Sequence, residues 1–232
     1  GWDGDGDDIA GFQWAEGGSG RPADFTFSGN VSHDNVGHGA LIWTNNEIVQ
    51  PAYDDNQVWS NGGYGIHWGA YLNPFVFTNS VFTDNGLASV GAKAIPFNEN
   101  NRLTNTTVDD ISILAYVFIQ EKVATFSNVT FTGNRPIGVT QIHDPCVNGD
   151  ENDPADPDCL RVWLRFDNPH FPAGMKPFEF GQTFNKYSVW EVRGFSSPDY
   201  PSLPANFDLF RPDNTVAGGS YYAPFDAWLV PR

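Results

Sequence analysis

Three aspartates raise the question of chemistry. Asp34, Asp84 and Asp109 each stand at a polar turn that punctuates a recurring phrase. If those turns stack, their carboxylates form a column. Neighbouring strands lie about 4.8 Å apart, so Asp84 and Asp109 fall roughly 5 Å from each other and Asp34 and Asp84 roughly 10 Å. Carboxylates about 5 Å apart suit a retaining glycosidase, and about 6.5–9.5 Å an inverting one. Crowding two like charges raises one pKa, as a general acid requires. The competing reading is plain turn chemistry, which also favours Asp and Asn.

A second set is aromatic. In "GIHWGAY", His67 sits between Ile66 and Trp68. Strand alternation turns it outward if those two point inward, towards Tyr71 and the rim of a groove. His67 and Tyr71 are candidates for the base and acid of a β-elimination. His38 and Tyr64 occupy one column on neighbouring repeats, and with Trp59 they offer ring faces on which a pyranose can stack. Ordinary packing on a surface rung accounts for the same residues.

Two acidic tracts have oxygen-rich spacing. "DGDGDD" carries Asp3, Asp5, Asp7 and Asp8; "NGDENDPADPD" carries Asp150, Glu151, Asp153, Asp156 and Asp158. Ca²⁺ takes six to eight oxygens from such loops, but neither tract has full EF-hand spacing, and a solvated loop is the alternative. Cys146 and Cys159 bracket the second tract. A bridge there stabilises by roughly 3 kcal/mol in the chain-entropy model and implies an oxidising compartment. Zinc is disfavoured, because no His pair has ligand spacing. Asn30, Asn105 and Asn128 begin N-glycosylation triplets. No P-loop, GxGxxG, GxSxG or HExxH pattern occurs.

Composition narrows the partners. The 232 residues carry 28 acids against 12 bases, a net charge of −16, which repels nucleic acid and anionic membrane. No signal peptide or apolar span is visible, and the opening "GWDGDGDD" fits a mature terminus or an excised domain. The expected location is secreted or at the cell surface.

The elements that must hold these residues are short strands. Gly and Pro are abundant, helix formers are scarce, and 19 Phe, 8 Trp and 8 Tyr supply the core. A repeat sets the strands in order. Asn35, Asn61 and Asn85 are 26 and 24 residues apart; Asn134 follows after 49, with the absent marker expected near Asp110. Ser32, Val58, Phe82 and Phe131 form one column and Ala40, Ile66, Val90 and Val139 another. Gly39, Gly65, Ser89 and Gly138 form a third. Trp14, Trp43 and Trp68 keep a similar spacing. A unit of this size cannot bury its own apolar face, whereas stacked copies can. The expected fold is all-β: a right-handed parallel β-helix of about 25 residues per turn with an irregular C-terminal β cap. Asn at the marker suits the left-handed conformation and an amide ladder. A Greek-key sandwich gives short strands too, without register at this period.

"FSGNVSHDNVGHGALIW", "VWSNGGYGIHWGAY", "FTNSVFTDNG" and "FSNVTFTGN" resemble the right-handed parallel β-helix repeats of pectate-lyase-like, extracellular carbohydrate-active and surface proteins. The resemblance covers residues 1–143. Residues 144–160 form the acidic cysteine loop. Residues 161–232 hold the last irregular turns and cap of one continuous domain, or else a small β-sandwich on its end. The resemblance implies polysaccharide lyases, glycosidases and adhesins. Lyases of this type generally use Ca²⁺ with a Lys or Arg base, but Arg21, Lys93, Arg102, Lys122 and Arg135 share no column. That departure favours a neutral glycan or no catalysis. The expectation is a protein that binds an extracellular polysaccharide on its exposed face, cleaving it if it is a lyase or hydrolase. The alternative is a non-catalytic structural or adhesive module that self-associates end to end.

Overall fold

A computed structural model describes residues 9–14, 26–42, 52–68, 76–94, 102–117, 124–141, 162–180, 189–212 and 216–232. A leading strand, β1 (Ala10–Trp14), precedes five three-stranded coils. These are β2 (Thr26–Ser28), β3 (Val31–His33) and β4 (His38–Ile42); β5 (Ala52–Asp54), β6 (Gln57–Trp59) and β7 (Ile66–Trp68); then β8 (Val76–Thr78), β9 (Val81–Thr83) and β10 (Val90–Ala94). The fourth and fifth are β11 (Arg102–Thr104), β12 (Thr107–Val108) and β13 (Ile111–Val117), and β14 (Ala124–Ser127), β15 (Thr130–Phe131) and β16 (Ile137–Gln141). Beyond them come β17 (Val162–Asp167), β18 (Lys176–Phe180), β19 (Val189–Arg193), β20 (Phe207–Phe210), β21 (Ser220–Tyr222) and β22 (Ala227–Pro231). No helix occurs among the described residues, so none is long and apolar enough to cross a membrane.

Each strand pairs in parallel with its equivalent one coil later, giving three sheets. The first runs β1-β4-β7-β10-β13-β16-β18, the second begins β2-β5-β8-β11-β14-β17-β19, and the third is β3-β6-β9-β12-β15. Along the third sheet Val31 pairs with Gln57, then Val81, Thr107 and Thr130, steps of 26, 24, 26 and 23 residues. The chain is a parallel β-helix with the expected period.

Alternation explains the core. Ser32, Val58, Phe82, Val108 and Phe131 point inward from the third sheet, and the residues beside them point out. The second sheet stacks rings: Tyr53 and Phe77 lie 4.7 Å apart, Phe126 and Phe166 5.1 Å. Offset rings in register add about 0.5–1.5 kcal/mol per pair beyond burial, which is what the high aromatic content achieves. The tryptophan column needs correction. Trp14 and Trp68 share a column, but Ile42 stands between them; Trp43 is one position past it and lies outside the described residues.

Two bends of each coil fall among the described residues. At the first, between the second and third sheets, the residue after the strand adopts positive φ: Gly29, Asp55, Asn79, Asn105, Asn128, Asn168 and Gly194. Gly, Asn and Asp bear this conformation at least cost. The second bend joins the third sheet to the first. There the positive φ belongs to Asp34, Ser60 and Asp84, not to the Asn markers that follow them. The marker amides make the ladder; the residue before supplies the bend.

At the C-terminal end, β17, β18 and β19 keep the parallel pairing, and then the direction reverses. β20 pairs antiparallel with β19, β22 with β20 and β21 with β22. A charge network crosses these strands: Arg165 to Glu191 at 2.7 Å, Arg193 to Glu191 at 3.3 Å and to Asp208 at 3.1 Å, and Arg232 to Asp208 at 2.6 Å.

Candidate functional site

The second bend brings most of the singled-out residues together. In coils one to three it is a seven-residue connection: 33–39 between Ser32 and Ala40, 59–65 between Val58 and Ile66, 83–89 between Phe82 and Val90. The connections pile up through asparagine. Asn61 Oδ1 accepts from the Asn35 backbone N–H at 3.2 Å and from Asn35 Nδ2 at 2.7 Å. Asn85 Oδ1 accepts the same pair from Asn61 at 3.2 and 2.8 Å. Asn61 and Asn85 are buried, so each amide satisfies groups that water cannot reach. Backbone meets backbone between the turns. A Cβ on Gly62 would stand 2.2 Å from the Val36 carbonyl oxygen, and one on Gly86 2.2 Å from that of Gly62.

Coil four breaks the pattern. Val108 pairs with Phe82 and Ile111 with Val90, so only Asp109 and Asp110 connect them, where coil five again uses the seven residues 132–138. Five residues are missing from the stack, and their hydrogen bonds must come from elsewhere. In earlier coils Asn35 O accepts from Gly62 N–H and Asn61 O from Gly86 N–H. The next donor, for Asn85 O, does not exist; the Arg135 guanidinium reaches back two coils and donates instead. Likewise Gly39 N–H and Gly65 N–H donate to carbonyls of the following coil, but Ser89 N–H donates at 2.9 Å to Asp110 Oδ1. Arg135 Nε lies 4.0 Å from that oxygen. Two side chains thus replace a missing course of backbone.

The two aspartates differ sharply. Asp109 is fully buried; one oxygen accepts from Asp84 N–H, the other from the Thr132 hydroxyl, and its own N–H donates to Ser89 Oγ at 3.0 Å. The Asp110 side chain is 17% exposed and that of Arg135 30%. Burial pushes the Asp110 carboxyl up to about 6; the Ser89 N–H and the Arg135 guanidinium oppose the rise, and Asp109 adds to it.

The expected aspartate column is only partly present. Asp34 and Asp84 are exposed, and with Ser60 between them they occupy one column of bends. Asp109 is not in it. Register places Asp109 after Val108 as Thr83 follows Phe82, because the shortened connection has no bend residue. Asp109 adjoins Asp84 through its backbone rather than as a second free carboxylate.

The rings fall into two groups. His38, Tyr64 and His67 pack against each other with centroids 4.9–5.4 Å apart. His38 Nδ1 accepts from Tyr64 N–H at 2.9 Å, and His38 Nε2 lies 3.4 Å from His67 Nδ1. His38 and Tyr64 share the expected column. His67 points away from the core, pairing with Leu41 and Gly91, yet it is only 7% exposed. It is therefore packed against its neighbours and not displayed on a rim. The second group is open: His33 and Trp59 stack face to face at 4.8 Å and 4° on the outer side of the third sheet. His33 Nδ1 is 2.7 Å from Asp34 Oδ2. This outer side continues as a strip of Val31, Gln57, Val81, Thr83, Thr107, Thr130 and Thr132, all exposed or half-exposed.

Tyr71, Asp3, Asp5, Asp7, Asp8, Asp150, Glu151, Asp153, Asp156, Asp158, Cys146 and Cys159 lie outside the described residues. Among the described residues no three His, Cys, Asp or Glu side chains converge as metal ligands. Of the glycosylation triplets, Asn105 and Asn128 are exposed, while Asn30 donates from Nδ2 to Ser28 O and Asn56 Oδ1. Residue types missed Asp110, Arg135 and His33. For Asp110 a signal existed: only two residues separate the apolar Val108 and Ile111, where seven separate their counterparts. No family model, no curated protein and no solved structure matches the chain.

Proposed function

We propose that the chain binds an extracellular polysaccharide along the outer strip of the third sheet, as a secreted or cell-surface protein. The observation that carries this reading is the His33–Trp59 stack. Two parallel rings, partly open to solvent, sit at one end of a strip otherwise made of hydroxyls, methyls and one amide. Ring faces take the C–H surface of a sugar, and hydroxyls alongside exchange hydrogen bonds with its rim. The strip runs along the solenoid axis at one strand spacing per coil, about 4.8 Å, so an extended glycan meets an equivalent position at each step. Binding, not cleavage, is the core of the reading. Asp109 has no exposed surface and both oxygens engaged, so it has no path to a glycosidic oxygen.

Affinity electrophoresis against a panel of soluble plant, algal and bacterial glycans tests the reading, with Trp59→Ala as the control. Retarded migration of the wild type, lost in W59A, is the expected result. The same incubations, followed for new reducing ends and for the ultraviolet absorbance of unsaturated products, report any cleavage. Failure of every glycan to retard the protein sinks the reading.

A structural or adhesive role is the second reading. Its support is the end of the solenoid where β1, β2 and β3 each close their sheets without a further strand among the described residues. Ile9, Val31 and Val36 are exposed in the same region. Unpaired edges and apolar surface favour association. Sedimentation velocity with and without Ca²⁺ separates the readings, since the acidic tracts at Asp3–Asp8 and Asp150–Asp158 are the proposed calcium ligands. A monomer in both conditions removes the second reading.

A further inference from the structure

We propose that the notch left by the short connection of coil four is a sugar subsite, in which Asp110 and Arg135 together hold the vicinal hydroxyls of one neutral pyranosyl unit. The inference rests on the glycan-binding reading above and adds the place and the class of sugar. Coils three and five both carry seven-residue connections, and coil four carries two. One course of backbone is therefore absent between two that remain, leaving a gap one strand spacing tall, about 5 Å, which the Asp110 and Arg135 side chains partly fill. An acceptor and a donor line it. Asp110 Oδ1 is committed to Ser89 N–H, which leaves Oδ2 to accept. One Nη of Arg135 is committed to Asn85 O, which leaves the other to donate. A carboxylate and a guanidinium side by side match two adjacent hydroxyls, one donating and one accepting. Both side chains retain solvent exposure, so a ligand can reach them.

Position and charge refine the class. The column of Trp59 continues through Thr83 and, two coils on, reaches coil four at Asp109. Trp59 and the notch are thus about 10 Å apart along the axis, a span for a short run of sugars. Asp34, Asp84, Asp109 and Asp110 lie on this bend, with Arg135 as its only arginine or lysine among the described residues. A polyuronate meets net repulsion there, whereas a neutral chain does not.

Isothermal titration with neutral oligosaccharides and with polygalacturonate decides the matter, using W59A, D110N, R135K and the wild type. D110N keeps an oxygen for Ser89 N–H and removes the carboxylate; R135K keeps the charge and removes the fork. Circular-dichroism melts confirm that each variant is folded before titration. The expected result is a neutral oligosaccharide bound by the wild type, with D110N and R135K each weaker by about tenfold and W59A by more. Wild-type affinity in both folded D110N and R135K, with W59A impaired, overturns the notch while the strip survives. Preference for polygalacturonate overturns the neutral class. Binding of no glycan at all removes the strip and the notch together.

Discussion

The two described bends of each coil solve one geometric problem in different ways. At the first, a single residue in the left-handed region turns the chain, and it recurs without a break from Gly29 to Gly194. At the second, seven residues make the turn, a buried asparagine ladder ties the turns together, and the pattern fails at coil four. A bend that depends on one residue's φ is local, so it survives changes in the coils around it. A bend that depends on its neighbours for hydrogen bonds transmits any gap, which is why Arg135 must span two coils. That dependence also makes the second bend the place where a recess can form.

The comparison is most easily broken at the ladder. Asn61→Ala removes the acceptor shared by Asn35 N–H and Asn35 Nδ2, and the Nδ2 that donates to Ser32 O and Trp59 O. At 1–3 kcal/mol per unsatisfied group, the expected loss is about 3 kcal/mol or more by urea denaturation. Arg135→Met tests the bridge. It leaves Asn85 O without its donor and Asp110 without its counter-ion, for an expected loss of about 2 kcal/mol. A loss below a few tenths would show that Arg135 is a surface charge and not a replacement for backbone.

Titration sharpens the contrast further. The folded Asp110 carboxyl is raised to about 6 from an ordinary 3.8. Between those values the native state binds the extra proton, so this group's contribution to stability is fully present below about pH 4. It is lost as pH rises through about 6. Relative to Asp110→Asn, the wild type therefore loses on the order of 1–2 kcal/mol between about pH 4 and pH 7, measured as a difference in chemical denaturation. Parallel profiles for the two proteins would refute the burial argument. The smallest effect belongs to Ser60, which holds φ +53° between Asp34 and Asp84 in the same column. Asn bears that conformation better than Ser, so Ser60→Asn raises the thermal midpoint slightly, by a free energy of about 0.5 kcal/mol.

Much of this was legible in the residues themselves. The spacing of Asn35, Asn61 and Asn85, the apolar columns through Val58 and Ile66, and the scarcity of helix formers determined a stacked parallel coil, because periodicity and alternation are read one segment at a time. Tertiary structure alone decided which columns were real. Register across coils depends on the length of every connection, so five absent residues moved Asp109 out of line with Asp34 and Asp84 and buried it. His67 faced away from the core as alternation required, yet its burial came from His38 and Tyr64 packing over it. The pairing of Arg135 with Asn85, fifty positions apart, had no local signature; it exists because stacking sets those two coils on either side of a gap.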